Sequence, residues 1–142
     1  MHLLQIEDNP SDVTLVREAL TTIATRVQLS VVEDGQAALD FLEQYARPTL
    51  TPRPDVILLD LNMPRKTGYE LLHELKRHPR FKGIPIVVFT SSGEPHEVHR
   101  CYALGANAFM VKPLHLEEYF AVVRTCVGFW SICQVPPLPA RL

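Results

Sequence analysis

The chain lacks the cysteine pattern of a disulfide scaffold or a zinc site. Cys101, Cys126 and Cys133 are odd in number, and none lies in a C-x-x-C pair. They read as buried or free thiols in a reducing cytosol, and the expected location is cytoplasmic. There is no uninterrupted apolar run approaching the ~20 residues that a membrane-spanning helix needs, so no membrane association is expected. The start carries no basic stretch, and Glu7 and Asp8 interrupt any apolar segment, which excludes a signal peptide. Charge of one sign is also missing. A formal net charge of −2 gives no reason to expect direct contact with nucleic acid. The six histidines are scattered, form no metal-binding pattern with an acidic partner, and read as solvated. No second domain, linker or repeat is visible beyond the alternation described next.

What the chain does have is a series of short apolar runs separated by segments of helical period. With 142 residues, 46% of them apolar, it fits one domain with a single core. The runs Leu3–Ile6, Val27–Val32, Asp55–Leu59, Ile86–Phe89 and Ala108–Val111 read as strands, and the alternation argues for βα units around a parallel sheet. Helix one opens with Asn9 as N-cap and Pro10 at its first position, where a missing N–H costs nothing. Its expected buried stripe is Val13, Val16, Leu20 and Ile23. Helix two follows Asp34-Gly35 and turns Ala38, Leu39 and Leu42 inward. Thr67 and Glu70 form a capping box before helix three, whose stripe is Leu71, Leu72 and Leu75. Helix four runs from Pro95 to near Gly105, and helix five follows Pro113 to about Phe129 or Trp130. Arg47–Pro54, with three prolines, reads as a loop, and Pro136-Pro137-Leu138-Pro139 as an extended tail. The expected division is a folded domain over 1–130 and a tail over 131–142.

The chemistry lies where the runs stop. Glu7 and Asp8 follow the first, Asp60 the third, Thr90 the fourth and Lys112 the fifth. In a parallel sheet these groups meet at one edge, outside the carboxyl ends of the strands, where open α/β sheets bind ligands. Two carboxylates ~5 Å apart repel by roughly 3 kcal/mol at an effective dielectric of 20, so the cluster needs a cation or a raised pKa. Hard oxygen donors with open positions suit Mg²⁺, beside which a carboxylate can attack phosphorus. A lysine and a hydroxyl can then stabilise the transferring oxygens. Singly, each feature could be chain punctuation, an N-cap acid pair or a loop aspartate. Their joint order and placement carry the reading.

Five segments match a known family: Ile6-Glu7-Asp8-Asn9, Val56 through Pro64 with Gly68 beyond it, Phe89-Thr90-Ser91-Ser92, Gly105-Ala106 and Lys112-Pro113. Over about residues 3 to 127 the chain resembles the receiver domains of two-component response regulators. The resemblance implies a doubly wound α/β fold, a five-stranded parallel sheet in flavodoxin-like order 2-1-3-4-5. It implies Asp60 as phosphoacceptor, Asp8 as direct Mg²⁺ ligand, Glu7 acting through water and the Asn62 carbonyl completing the metal shell. Thr90 would be the hydroxyl that moves onto the phosphoryl group, Lys112 its counter-charge, and Phe109 the aromatic switch. Ser91 belongs to the phosphate environment, and Ser92 with Asn62 would tune phosphate lifetime. Lys112-Pro113 would be a cis peptide. The expected partner is a sensor histidine kinase. The Asn9-Pro10-Ser11-Asp12 start, the proline-bearing loop and Phe129-Trp130 are similar to single-domain regulators paired with bacterial phytochrome kinases.

Two features stand outside that pattern. Gln5 is a polar residue in a buried strand and should hydrogen-bond a neighbouring loop. Helix five is apolar almost all round, where a helix covering one side of a sheet needs one stripe. The excess suggests a second partner, the chain's own tail or another subunit, and a two-fold homodimer through helix four, strand five and helix five is expected. The competing functions are a Mg²⁺-dependent phosphohydrolase with an aspartyl nucleophile, which would want an acid where Asn62 stands, and an interaction module that has lost phosphorylation. A relay intermediate or a phosphate sink remain open within the receiver class.

Overall fold

Strand side chains alternate between faces, and here the two faces fill two separate cores. The computed structural model describes residues 1–46 and 53–137. In chain order it gives β1 (His2–Ile6), α1 (Pro10–Thr21), β2 (Gln28–Val32), α2 (Gly35–Glu43), a 3-10 turn (Gln44–Ala46), β3 (Val56–Leu59), α3 (Gly68–Arg77), β4 (Ile86–Thr90), α4 (Pro95–Ala103), β5 (Ala108–Val111) and α5 (Leu116–Ile132). The five strands form one parallel sheet in the order β2-β1-β3-β4-β5, as expected. Leu4, Ile6, Ile57, Leu59, Ile86 and Val88 face Ala38, Leu42, Leu71, Leu72, Leu75 and Cys101 of α2, α3 and α4. Leu3, Val56, Leu58, Val87 and Phe89 face Val16 and Ala19 of α1 and Tyr119, Val123 and Val127 of α5. With both faces covered, β1, β3 and β4 are buried along their whole length, which is why β3 and the body of β4 read as unbroken apolar runs while β1 carries the buried polar residues His2 and Gln5.

Helix starts follow the expected chemistry. Asn9 accepts from the Ser11 N–H at 2.9 Å with Pro10 at the first position, Asp34 caps α2 through Ala37 N–H at 2.8 Å, and the Thr67 hydroxyl accepts from Glu70 N–H at 3.2 Å. Gly105 closes α4 with φ +104°, a left-handed geometry that side chains resist.

Several expectations are corrected. Ala19, not Val13, completes the α1 stripe, because the helix turns its small residue toward the sheet. α5 continues to Ile132, past Trp130, since nothing before Pro136 blocks it. His2 is buried, with Nε2 2.8 Å from the Ser30 hydroxyl and its ring among Phe41 and Tyr45. Gln5 is buried too, but its Oε1 has no hydrogen-bond partner among the described residues, since its neighbours across the sheet, Val31 and Leu58, are apolar. All peptides of the described residues are trans, Lys112-Pro113 included, in line with the modest trans preference that X-Pro bonds retain. The cysteines are unpaired, and burial pushes the Cys101 and Cys126 thiols up to about 11. Residues 47–52 of the expected loop and 138–142 of the expected tail lie outside the described residues. Among those described, no helix is long and apolar enough to cross a membrane.

Candidate functional site

Backbone hydrogen bonds carry the sheet ladder one residue past the strand ends and so fix the polar groups that follow. Glu7 N–H donates to Val32 C=O at 3.0 Å, Asp60 N–H to Ile6 C=O at 3.1 Å and Lys112 N–H to Thr90 C=O at 2.7 Å. Glu7 and Asp60 therefore lie on adjacent strands at the carboxyl edge, with Lys112 at the same edge two strands beyond Asp60. Gly68, at the start of α3, presses against the backbone that follows β3. A Cβ there would lie 2.5 Å from the Asp60 carbonyl oxygen and 2.6 Å from Leu61 Cα. Only glycine permits this approach, which fixes the height of Asp60 above the sheet.

The predicted acids come together. Glu7, Asp8 and Asp60 each offer a carboxylate oxygen, all within 4.8 Å of one another, with Glu7 and Asp60 buried and Asp8 exposed. The Lys112 ammonium sits 2.5 Å from Glu7 Oε1 and 3.8 Å from Asp60 Oδ1. Burial pushes the Glu7 carboxyl up to about 8; the bond from Lys112 opposes that rise and Asp60 adds to it. Burial alone would lower the Lys112 ammonium, but the bond to Glu7 and the charge of Asp60 outweigh it and its pKa is raised. Asp60 Oδ1 has no hydrogen-bond partner among the described residues although it is buried. A buried acceptor left unmatched beside two further carboxylates is what a hard cation or an incoming electrophile would relieve. The donor set is all oxygen, one member open to water, and it fits Mg²⁺.

The other predicted residues are distributed around this centre. The buried Thr90 hydroxyl lies 3.5 Å from Asn62 Nδ2, which donates to it. Phe109 is half-buried and packs against the core under α3 and α4. Ser91 is exposed. Ser92 is tied elsewhere: its hydroxyl donates to the Glu97 carboxylate on α4. Two residues were missed in the sequence. Asp12 on α1 lies 3.1 Å from the Lys112 ammonium through Oδ2, and its Oδ1 accepts from the Tyr119 hydroxyl of α5 at 2.8 Å. Tyr119 lies in a helix whose sequence reads as apolar almost all round. The one available signal was its polar tip, which in a buried position demands a partner.

Comparison with known proteins agrees with this geometry. A family model described as response regulator receiver domain matches residues 3–124. Response regulator Rcp1 of Synechocystis sp. is 40% identical over 138 residues, covering 97% of this chain and 92% of that protein. The crystal structure of its Mn(2+)-bound form superposes with a TM-score of 0.84 at 38% identity, over 96% of this chain and 99% of that one. The phosphorylated cyanobacterial phytochrome response regulator RcpA superposes with a TM-score of 0.86 at 35% identity, over 96% of this chain and 98% of that one.

Proposed function

This chain belongs to the response regulator receiver family, and we propose that it accepts a phosphoryl group on Asp60 from a phosphohistidine of a sensor kinase. It is a phosphoacceptor and not a metabolic enzyme. The observation that carries the reading is the buried, unpartnered Asp60 Oδ1, set among two more acids and 3.8 Å from a lysine. In the transfer that carboxylate oxygen forms a bond to phosphorus, the P–N bond breaks, and the imidazole leaves with the electron pair. Glu7, Asp8, Asp60 and the Asn62 carbonyl would hold Mg²⁺, which when bound offsets charge on the phosphoryl oxygens. Lys112 supplies an ammonium to the same oxygens. The Thr90 hydroxyl, bonded among the described residues by Asn62 at 3.5 Å, exchanges that weak contact for a phosphoryl oxygen. Phe109, half-buried on the neighbouring strand where it pairs with Val88, follows, and the surface of α4, β5 and α5 changes. Phosphorylation acts through the contacts it makes in one state and not the other. Loss of the phosphoryl group by hydrolysis at the same site resets the protein.

The kinase partner is a phytochrome-type sensor, as the name of the RcpA relative suggests. The chain lies in the cytoplasm, makes no direct contact with nucleic acid, and comprises a receiver that runs to the end of α5 at Ile132, past the expected boundary at 130. It forms a two-fold homodimer through α4, β5 and α5. Supporting this, Tyr102, Val111, Leu116 and Phe129 are exposed apolar groups there. A groove of about 580 Å³ also runs between β5 and α5, lined by Met110, Val122, Cys126, Phe129 and Trp130 among others.

The test is labelling by acetyl phosphate, read by intact mass with and without Mg²⁺. Wild type gains one phosphoryl group only with Mg²⁺, and Asp60→Asn gains none. Undiminished labelling of Asp60→Asn overturns the assignment.

A further inference from the structure

We propose that Asp12, held in place by Tyr119, is a positioning residue that clamps the Lys112 ammonium beside Asp60 when a cation draws Glu7 away. The inference rests on the phosphoacceptor reading above.

The argument begins with the valence of the ammonium. Lys112 has three N–H donors and meets three carboxylates: Glu7 at 2.5 Å, Asp12 at 3.1 Å and Asp60 at 3.8 Å. The first is a hydrogen bond, the second a close ion pair, and the third a charge contact across the space a phosphoryl oxygen would enter. Glu7 has two competing duties, since it also belongs to the acidic set that would hold the cation. A divalent ion there takes up much of Glu7's negative charge and weakens its hold on the lysine. Asp12 is not part of that set. It is the one anchor of Lys112 whose charge the cation leaves intact, and a lysine side chain without an anchor has a long flexible stem with which to swing toward water.

Asp12 is built for that duty. Its Oδ2 faces Lys112 while its Oδ1 accepts the Tyr119 hydroxyl, so both oxygens are committed and the rotamer is pinned. Tyr119 in turn is only 3% exposed and its ring packs on Phe89 at 5.2 Å between centroids, in the strand that ends at Thr90. Burial and then the Asp12 carboxylate raise the Tyr119 pKa, so its hydroxyl stays a donor. Sequence distance makes the arrangement specific. Asp12 and Tyr119 are 107 residues apart and meet only across the α1–α5 seam.

The experiment is a double-mutant cycle on acetyl-phosphate labelling rates in saturating Mg²⁺, with Lys112 ammonium groups watched by ¹⁵N NMR. Asp12→Asn labels about tenfold more slowly than wild type, a loss of the size expected when one partner of a coupled pair goes. In a Lys112→Ala background the same substitution changes the rate by less than about twofold, because its effect runs through the missing lysine. The Lys112 ammonium resonance of Mg²⁺-loaded Asp12→Asn broadens into fast solvent exchange, while Mg²⁺ affinity stays at the wild-type value. Tyr119→Phe removes only the hydroxyl and gives a smaller loss in the same direction, which keeps the question decidable if Asp12→Asn folds poorly. Equal losses with and without Lys112, a faster or unchanged rate in Asp12→Asn, or an undisturbed ammonium resonance overturns the proposal. If wild type itself takes no label, the phosphoacceptor reading fails, and the NMR arm still decides whether Asp12 holds Lys112.

Discussion

Asp60→Asn should make the metal-free protein more stable while abolishing its phosphorylation. Glu7 and Asp8 each bring an oxygen within 4.8 Å of the others in the acidic set, and Lys112 stands 3.8 Å from Asp60. Above about pH 8, where Glu7 is ionised, each like-charged neighbour repels Asp60 by ~3 kcal/mol at an effective dielectric of 20 and Lys112 attracts it by ~4 kcal/mol. Asp8 is exposed, so its share is screened, and the net penalty on an ionised Asp60 is about 1–2 kcal/mol. Asparagine keeps the volume and loses the charge. For a chain of 142 residues that gain corresponds to a rise in Tm of about 3–7 °C. The assay is thermal unfolding by circular dichroism at about pH 9, with Glu7 ionised, in EDTA and again in saturating Mg²⁺. In EDTA Asp60→Asn melts above wild type; in Mg²⁺ the order narrows or reverses, because wild type gains more from the ion. An Asp60→Asn protein that melts at or below wild type in EDTA would refute the reasoning, since attraction by Lys112 would then exceed repulsion by the acids.

Three further outcomes are expected. The Glu7 carboxyl is pushed up to about 8, above its ordinary value, so the folded state holds that proton more tightly than the unfolded one. This contribution to stability is complete below the unfolded pKa and is lost as pH rises through about 8; melts in EDTA should fall across that window and saturating Mg²⁺ should flatten the profile. Gly68→Ala drives a Cβ to 2.5 Å from the Asp60 carbonyl oxygen, which should cost about 1–3 kcal/mol in urea unfolding and slow acetyl-phosphate labelling more than the stability loss explains. Val111→Asp places a charge on the exposed apolar face of β5; sedimentation should show a monomer where wild type dimerises, with labelling of Asp60 retained.

β3 and β4 were legible because a strand covered on both faces leaves a short run of apolar residues, ended here by Asp60 and Thr90, whereas the strand order was what the resemblance implied. The helix starts were legible at Asn9 and Thr67, where capping is a local matter. What escaped was non-local. Asp12 reads as an ordinary acid in the first turn of a helix, and only the packing of α1 on α5 brings it to Lys112 and Tyr119. Ser92 sits two residues after Thr90 in the segment of a familiar pattern, yet Glu97, one helical turn into α4, claims its hydroxyl. Gln5 was expected to find a partner in a loop, but the register places it between Val31 and Leu58. In each case the deciding term was a neighbour distant in the chain.

The register between β1 and β3 has a practical consequence. Ile6 is paired with Leu59, so the acids that follow stand one rung above the last paired rung. Deleting a single residue inside β3 would rotate the phosphoacceptor to the opposite side of the sheet, beneath α3, and silence it. The far rim is tied into the same register. Asp55 accepts the His2 N–H through Oδ2 at 2.7 Å and donates its own N–H to the His2 carbonyl at 2.7 Å, and Pro54 beside it is buried. A peptide graft at 53–55 would slip β1 against β3, so a reporter tag belongs at neither end of this strand pair.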